Sequence, residues 1–182
     1  MIFALLTAVV AVAAPAVGSL EAAVSGRSAA AEVSAAFFRA RAYAISSGRY
    51  VGLKFQKNGD RCEWALYRDG NGNGIRTSEI ASGVDRSLGV SYAWSRNDVR
   101  PGILTGNPVP DPGRPGHSLD RLDDPIRFGN SDICSFSPIG ESSPGSVYLW
   151  DGRDRMAVVR VFDRTAKIRA LYYRRGQREW TP

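Results

Sequence analysis

No charged side chain occurs between Met1 and Leu20, and Glu21 is the first charge in a chain of 182 residues. Met1–Ala14 is almost wholly aliphatic. A run of that length barely reaches the roughly twenty apolar residues of a membrane-spanning helix. Pro15 lies inside it, a defect that neighbouring groups can compensate in a bundle or bilayer. A secretory signal peptide is a second reading, with Ala11-Val12-Ala13 as a cleavage site, but the basic opening of such a peptide is missing. A buried core helix is the third.

The helical pattern runs on past the apolar stretch. Residues 16–47 are rich in alanine, and Gly18 and Gly26 are their only glycines. Val17, Leu20, Val24, Ala31 and Ala35 form one stripe at helical spacing, and Val33, Phe37, Ala40 and Ala44 form a second beside it. Gly48 is placed to end the helix. The expectation is one helix over residues 1–47, apolar first and then amphipathic, with one end in a bilayer or bundle and the other against a sheet.

The remainder, residues 48–182, reads as strands. Val51, Leu53 and Phe55 alternate with smaller or polar residues, followed by Trp64 and Leu66, then Val90, Tyr92 and Trp94. Ile126–Phe128, Ser146–Trp150, Arg155–Phe162 and Lys167–Tyr173 complete about seven segments, short, β-branched or aromatic, and bounded by turn residues. No second amphipathic helix is evident. Parallel strands need crossover elements that are missing, so the strands should pair antiparallel and the fold class is α+β. Residues 96–125 carry Pro101, Pro108, Pro110, Pro112, Pro115 and Pro125, and a connection of that length is usually functional or disordered.

Several groups of residues could carry chemistry. Asp69, Asn71, Asn73 and Gly74 follow the first half of an EF-hand-like calcium loop, with Glu79 as a further oxygen donor. The other reading is a turn between strands, which this composition also favours. Cys62 and Cys134 are the only cysteines. A disulfide closing their loop would stabilise the fold by about 4 kcal/mol, and two buried thiols are the alternative. His117 is the only histidine and Asp123-Asp124 the only adjacent carboxylate pair; the first reads as an exposed spectator and the second as a polar turn. There is no P-loop, H-E-x-x-H or G-x-S-x-G motif, and the reading is non-enzymatic, without a cofactor beyond the calcium of that loop.

The net charge is +6. Residues 163–182 hold +4 of it, on Arg164, Lys167, Arg169, Arg174, Arg175 and Arg178 offset by Asp163 and Glu179. Tyr172, Tyr173 and Trp180 are interleaved with these cations, a mixture suited to phosphate contact with base stacking. A solvated last strand and tail is the alternative.

Three further blocks carry a resemblance. Phe38-Arg39-Ala40-Arg41-Ala42-Tyr43-Ala44-Ile45 runs from helix into strand, and Trp64-Ala65-Leu66-Tyr67-Arg68-Asp69 leads into the Asn/Gly loop. Ile126-Arg127-Phe128 precedes Phe136-Ser137-Pro138-Ile139-Gly140 and its small-residue turn. In order and spacing these blocks resemble the GspH/FimT-type minor pseudopilins of the type IV pilin-like family, over nearly the whole chain. The resemblance implies a long N-terminal helix packed on an antiparallel β head, pilin-like. It implies a subunit of a type II secretion or type IV pilus system that waits in the inner membrane with its head outside the cytoplasm. From there it would join other pilins through its apolar helix. Such prepilins open with a basic leader, a glycine, an aromatic and an early glutamate, none of which is present; Pro15 holds the place of the family's helix proline. The expectation is that the leader and the first mature residues precede Met1. The family's "GR" turn before the last strand is replaced by Asp163-Arg164-Thr165-Ala166-Lys167. FimT-like members imply DNA uptake as an alternative role, and an unrelated membrane-anchored β domain is the third reading.

Overall fold

The computed structural model describes residues 2–58, 61–93, 99–162 and 165–182, and the side chains of these except 2–22, 57, 58, 61 and 90–93. One helix, α1 (Ile2–Ser47), precedes the strands β1 (Val51–Asn58) and β2 (Arg61–Arg68). A short helix α2 (Thr77–Ser82) and β3 (Arg86–Ala93) follow. The remaining strands are β4 (Arg100–Pro101), β5 (Ile126–Arg127), β6 (Ile133–Phe136), β7 (Gly145–Trp150), β8 (Arg155–Phe162) and β9 (Lys167–Arg174). Every pairing is antiparallel. The first sheet runs β3-β2-β1-β6. The second runs β4-β7-β8-β9, with β5 on the same edge of β7 as β4. The fold is therefore α+β, one long helix on antiparallel sheets.

α1 ends where Gly48 takes a left-handed conformation with φ 62°, which glycine adopts without the Cβ clash other residues meet. Its inward side buries Ala29, Ala30, Val33, Phe37, Ala40 and Ala44 against both sheets. The small alanines let the helix approach closely, and Phe37 fills the gap that remains. Its ring meets Phe55 and Phe128 edge-on at 6.1 and 5.7 Å, the favoured geometry for aromatic pairs. Of the two expected stripes, this is the one through Val33 and Phe37. The other does not lie beside it. Residues two apart on a helix point about 200° apart, and Val24, Ala31 and Ala35 are exposed on the far side.

The Pro-rich connection also departs from expectation. Among its described residues, Ile103, Leu104, Val109 and Leu119 are buried with Tyr148, Met156, Val158 and Tyr173 in a second core. They cover the face of the second sheet that α1 does not reach. This explains why β8 alternates so little: Ala157, Val159 and Val161 join the α1 core while Met156 and Val158 join the other. The C-terminal segment is tied to the same layer. Trp180 Nε1 donates to Pro110 O at 2.7 Å, and Thr181 bridges to Tyr172.

Nine strands are present among the described residues, against about seven expected. β4 and β6 are too short to show an alternating pattern. α2, a single helical stretch of six residues, was not expected either. The expected alternation ending at Trp94 is met by β3 as far as Ala93; Trp94 lies outside the described residues.

Candidate functional site

The loop after β2 brings Asp69, Asn71, Asn73 and Glu79 together. Asp69 is buried; its Oδ1 accepts from the backbone N–H of Asn71 and Gly72 at 2.9 and 2.8 Å, and its Oδ2 from Gly74 at 2.9 Å. Burial by itself would raise the Asp69 carboxyl; the N–H bonds from Gly74, Gly72 and Asn71, with Arg49 nearby, outweigh it and hold the group below its ordinary value. Asp85, also buried, does the same for the N–H groups of Gly70 and Arg76. Glu79 Oε1 accepts from the side-chain amides of Asn71 and Asn73 at 3.3 and 2.8 Å, and its Oε2 is left buried without a hydrogen-bond partner. In this arrangement the acidic oxygens close the loop on itself. Among the described residues, no group of three or more His, Cys, Asp or Glu is placed to hold a metal ion.

Cys62 and Cys134 are both buried and are not joined. The sheet register gives the reason. Cys62 is opposite Lys57 and Cys134 opposite Leu53, on two different sides of β1. They are thus two strands and four register positions apart, on the order of 15 Å, far beyond the reach of a disulfide. The bridge expected as one alternative gives way to two thiols, and burial pushes that of Cys134 up.

The basic residues of the last twenty fall into separate groups. Arg164 lies outside the described residues. Lys167 and Arg169 are exposed at the start of β9, while Arg174, Arg175 and Arg178 are exposed at its other end, some 20 Å away along the strand. Arg174 and Arg175 there meet arginines from elsewhere. Arg155 is opposite Arg174, and Arg100 is opposite Trp150 at the same end of the sheet. Arg175 donates to the Arg153 carbonyl at 3.1 Å, and Arg174 pairs with Asp154 at 3.0 Å. Arg100, Arg153 and Arg155 carried no signal in the sequence, because only strand register brings them here.

A cavity of about 300 Å³ opens beside this group, where α1 leaves the sheet. Ala23, Gly26, Leu149 and Ala157 form its apolar wall, and Arg155, Arg174 and Gln177 its rim. Arg27 stands over the Tyr172 ring at 5.0 Å. Asp151 Oδ2 is buried on this side without a hydrogen-bond partner, while its Oδ1 accepts the Arg153 and Arg155 N–H groups that shape the turn.

His117 is exposed in the covering loop, and Asp124 is paired with Arg121 at 3.4 Å in a turn wrapped by Arg127.

Among the described residues, the outward side of α1 is apolar and exposed. Val24, Phe38 and Ile45 are 59, 54 and 51% exposed, and Ala31, Ala35 and Ala42 are exposed between them. Positions 24, 31, 38 and 45 repeat every seven residues, with 35 and 42 between them, which is the spacing of a helix-packing seam. Among the described residues no helix is long and apolar enough to cross a membrane; the run Met1–Leu20 lies outside the described side chains.

Neither a family model, a curated protein nor a solved structure matches this chain.

Proposed function

We propose that the chain is an assembly subunit of the minor pseudopilin or minor pilin kind, in a type II secretion or type IV pilus system, working without catalysis. The observation that carries this reading is the seven-residue apolar seam on the outward side of α1, in line with the uncharged run that precedes it. A helix needed only to brace a sheet would be polar on that side. Here both sides are apolar, and the outer one fits a second apolar helix. The inner membrane would hold the subunit through the Met1–Leu20 run before assembly, with the β head outside the cytoplasm. The partners are then chains with apolar N-terminal helices of their own.

A photo-crosslinking residue in place of Phe38, in the native host, tests this. The expected adducts join residue 38 to the N-terminal helices of other membrane-anchored chains, mapped by mass spectrometry. Adducts no different from those at exposed Arg39 would contradict the proposal.

DNA contact is a second reading, favoured by the gathering of Arg174, Arg175 and Arg178 beside aromatic residues. It requires steeply salt-dependent binding that is lost in Arg174→Gln with Arg175→Gln. The separation of Lys167 and Arg169 from the other three counts against one continuous nucleic-acid track.

A further inference from the structure

The outer seam leaves open how the head sits over its membrane segment, and the arginines at one end of the second sheet bear on that. The direction of α1 follows from its neighbours. Phe37 packs on Phe128, and Phe128 abuts Gly145 at the start of β7. Ala23 and Arg27 instead line the cavity with Asp151 and Arg155, past the end of β7. Following α1 back toward Ile2, the helix therefore leaves the head at the β7–β8 hairpin end. That end carries Arg100, Arg153, Arg155, Arg174, Arg175 and Arg178, and α1 itself adds Arg27 over Tyr172. Against them stand Asp151, Asp154 and Glu179. At the opposite end, by contrast, the arginines Arg49, Arg68 and Arg86 surround the buried Asp69 in a recess of the loop.

We infer that the hairpin end of the second sheet rests on the anionic surface of the bilayer, its guanidinium groups on lipid phosphates. This inference rests on the reading that residues 1–20 anchor the chain. The distances agree. Arg27 stands about 10 Å along the helix axis from Leu20, the last residue of the uncharged run. One headgroup layer is about 5–8 Å deep, half the difference between a bilayer's full thickness and its hydrocarbon core, so the long Arg27 side chain needs to reach back only a few ångströms to meet it. All seven basic groups are arginines, whose planar forks bind phosphate oxygens bidentately. The cluster is also held in shape before any contact, because the Asp151 carboxylate fixes the hairpin turn and Arg175 is bonded to it. An anionic surface attracts such a group within about a Debye length. The charge that looks like a nucleic-acid tail in sequence is then a foot for the head, one that sets its tilt and presents the outer seam parallel to neighbouring helices.

The test is amide hydrogen exchange on the full chain in lipid nanodiscs, either phosphatidylcholine alone or mixed with phosphatidylglycerol. The expected result is exchange at residues 151–155 and 174–178 roughly tenfold slower in the anionic discs. That difference should disappear in the combined variant Arg153→Gln, Arg175→Gln, Arg178→Gln, with exchange in the β8 core unchanged. Equal exchange in the two discs overturns the inference while leaving the anchoring reading intact. Loss of the chain from both kinds of disc overturns the anchoring reading and the inference with it. Protection of the same residues by duplex DNA, without any by anionic discs, also overturns it and assigns the cluster to nucleic acid.

Discussion

Phe37 and Phe38 are adjacent in sequence and opposite in circumstance. Phe37 is 0% exposed, enclosed by Phe55, Phe128 and Phe136, whereas Phe38 is 54% exposed and faces away from both sheets. The contrast extends along the helix, with Ala29, Val33, Ala40 and Ala44 inward and Val24, Ala31, Ala35 and Ile45 outward. The two sides have much the same composition, so composition does not decide which one the head takes. Shape decides it: the Phe37 ring fits among Phe55 of β1, Phe136 of β6 and Phe128. The side left over is apolar, and among the described residues it stays exposed at Val24, Ala31, Ala35 and Phe38. One side of α1 holds the fold together, and in the proposed assembly role the other would hold subunits to one another.

The widest separation between the two sides is expected from alanine substitution. Phe37→Ala should cost about 3–5 kcal/mol in denaturant unfolding, since it removes a ring from a closed core. Phe38→Ala should stay within about 0.5 kcal/mol, as for an exposed position. Similar losses at both positions would break the comparison.

The head that receives the inner side depends on the loop after β2, and the next effect lies there. Asp69→Ala strips the acceptor from three backbone N–H groups and should cost about 2 kcal/mol. The Asp69 carboxyl is held below its ordinary value in the fold, so its contribution is complete above the unfolded-state value, near 4. It is lost as pH falls through the lower, folded-state value. Unfolding followed from pH 7 down to 2 should therefore show an acid limb that flattens in Asp69→Ala. Millimolar calcium should leave the wild-type Tm unchanged; a rise that Asp69→Ala abolishes would restore the calcium loop.

Cys62 and Cys134 belong to the same core as the inner side of α1. Thiol titration of denatured, unreduced protein should find two thiols, and reduction should not move the Tm. One disulfide in place of the two thiols would mean that β1 does not separate them.

Long periodic features were legible in the sequence. The helix to Ser47, its end at Gly48 and the strands around Val51, Ser146, Arg155 and Lys167 all follow from spacing and turn residues. Short elements were not. Ile133–Phe136 has four residues and takes its strand identity from pairing with β1, and Thr77–Ser82 is one turn and a half between the Asn/Gly loop and Gly83. The placement of the two helix stripes failed for a simpler reason. Alanine-rich sequence satisfies helical spacing on several sides at once, so spacing marked both stripes without showing that they are opposed. The Asp69 loop was recognisable as a set of residues, but its hydrogen bonds depend on backbone N–H directions that no residue pattern encodes. The arginine cluster at the hairpin end was half legible. Arg174, Arg175 and Arg178 stand out as charge, and Arg100, Arg153 and Arg155 join them only through strand register.

The proposed assembly role requires the outward side of α1 to be a contact between subunits. The direct measurement introduces a charge there, with Ala35→Arg, and records both the Tm and the size of the complex recovered from membranes of the native host. The expected result is an unchanged Tm with the chain eluting alone, where the wild type elutes with other helix-bearing chains. A complex that survives the charge would contradict the account, and so would a wild type that elutes alone.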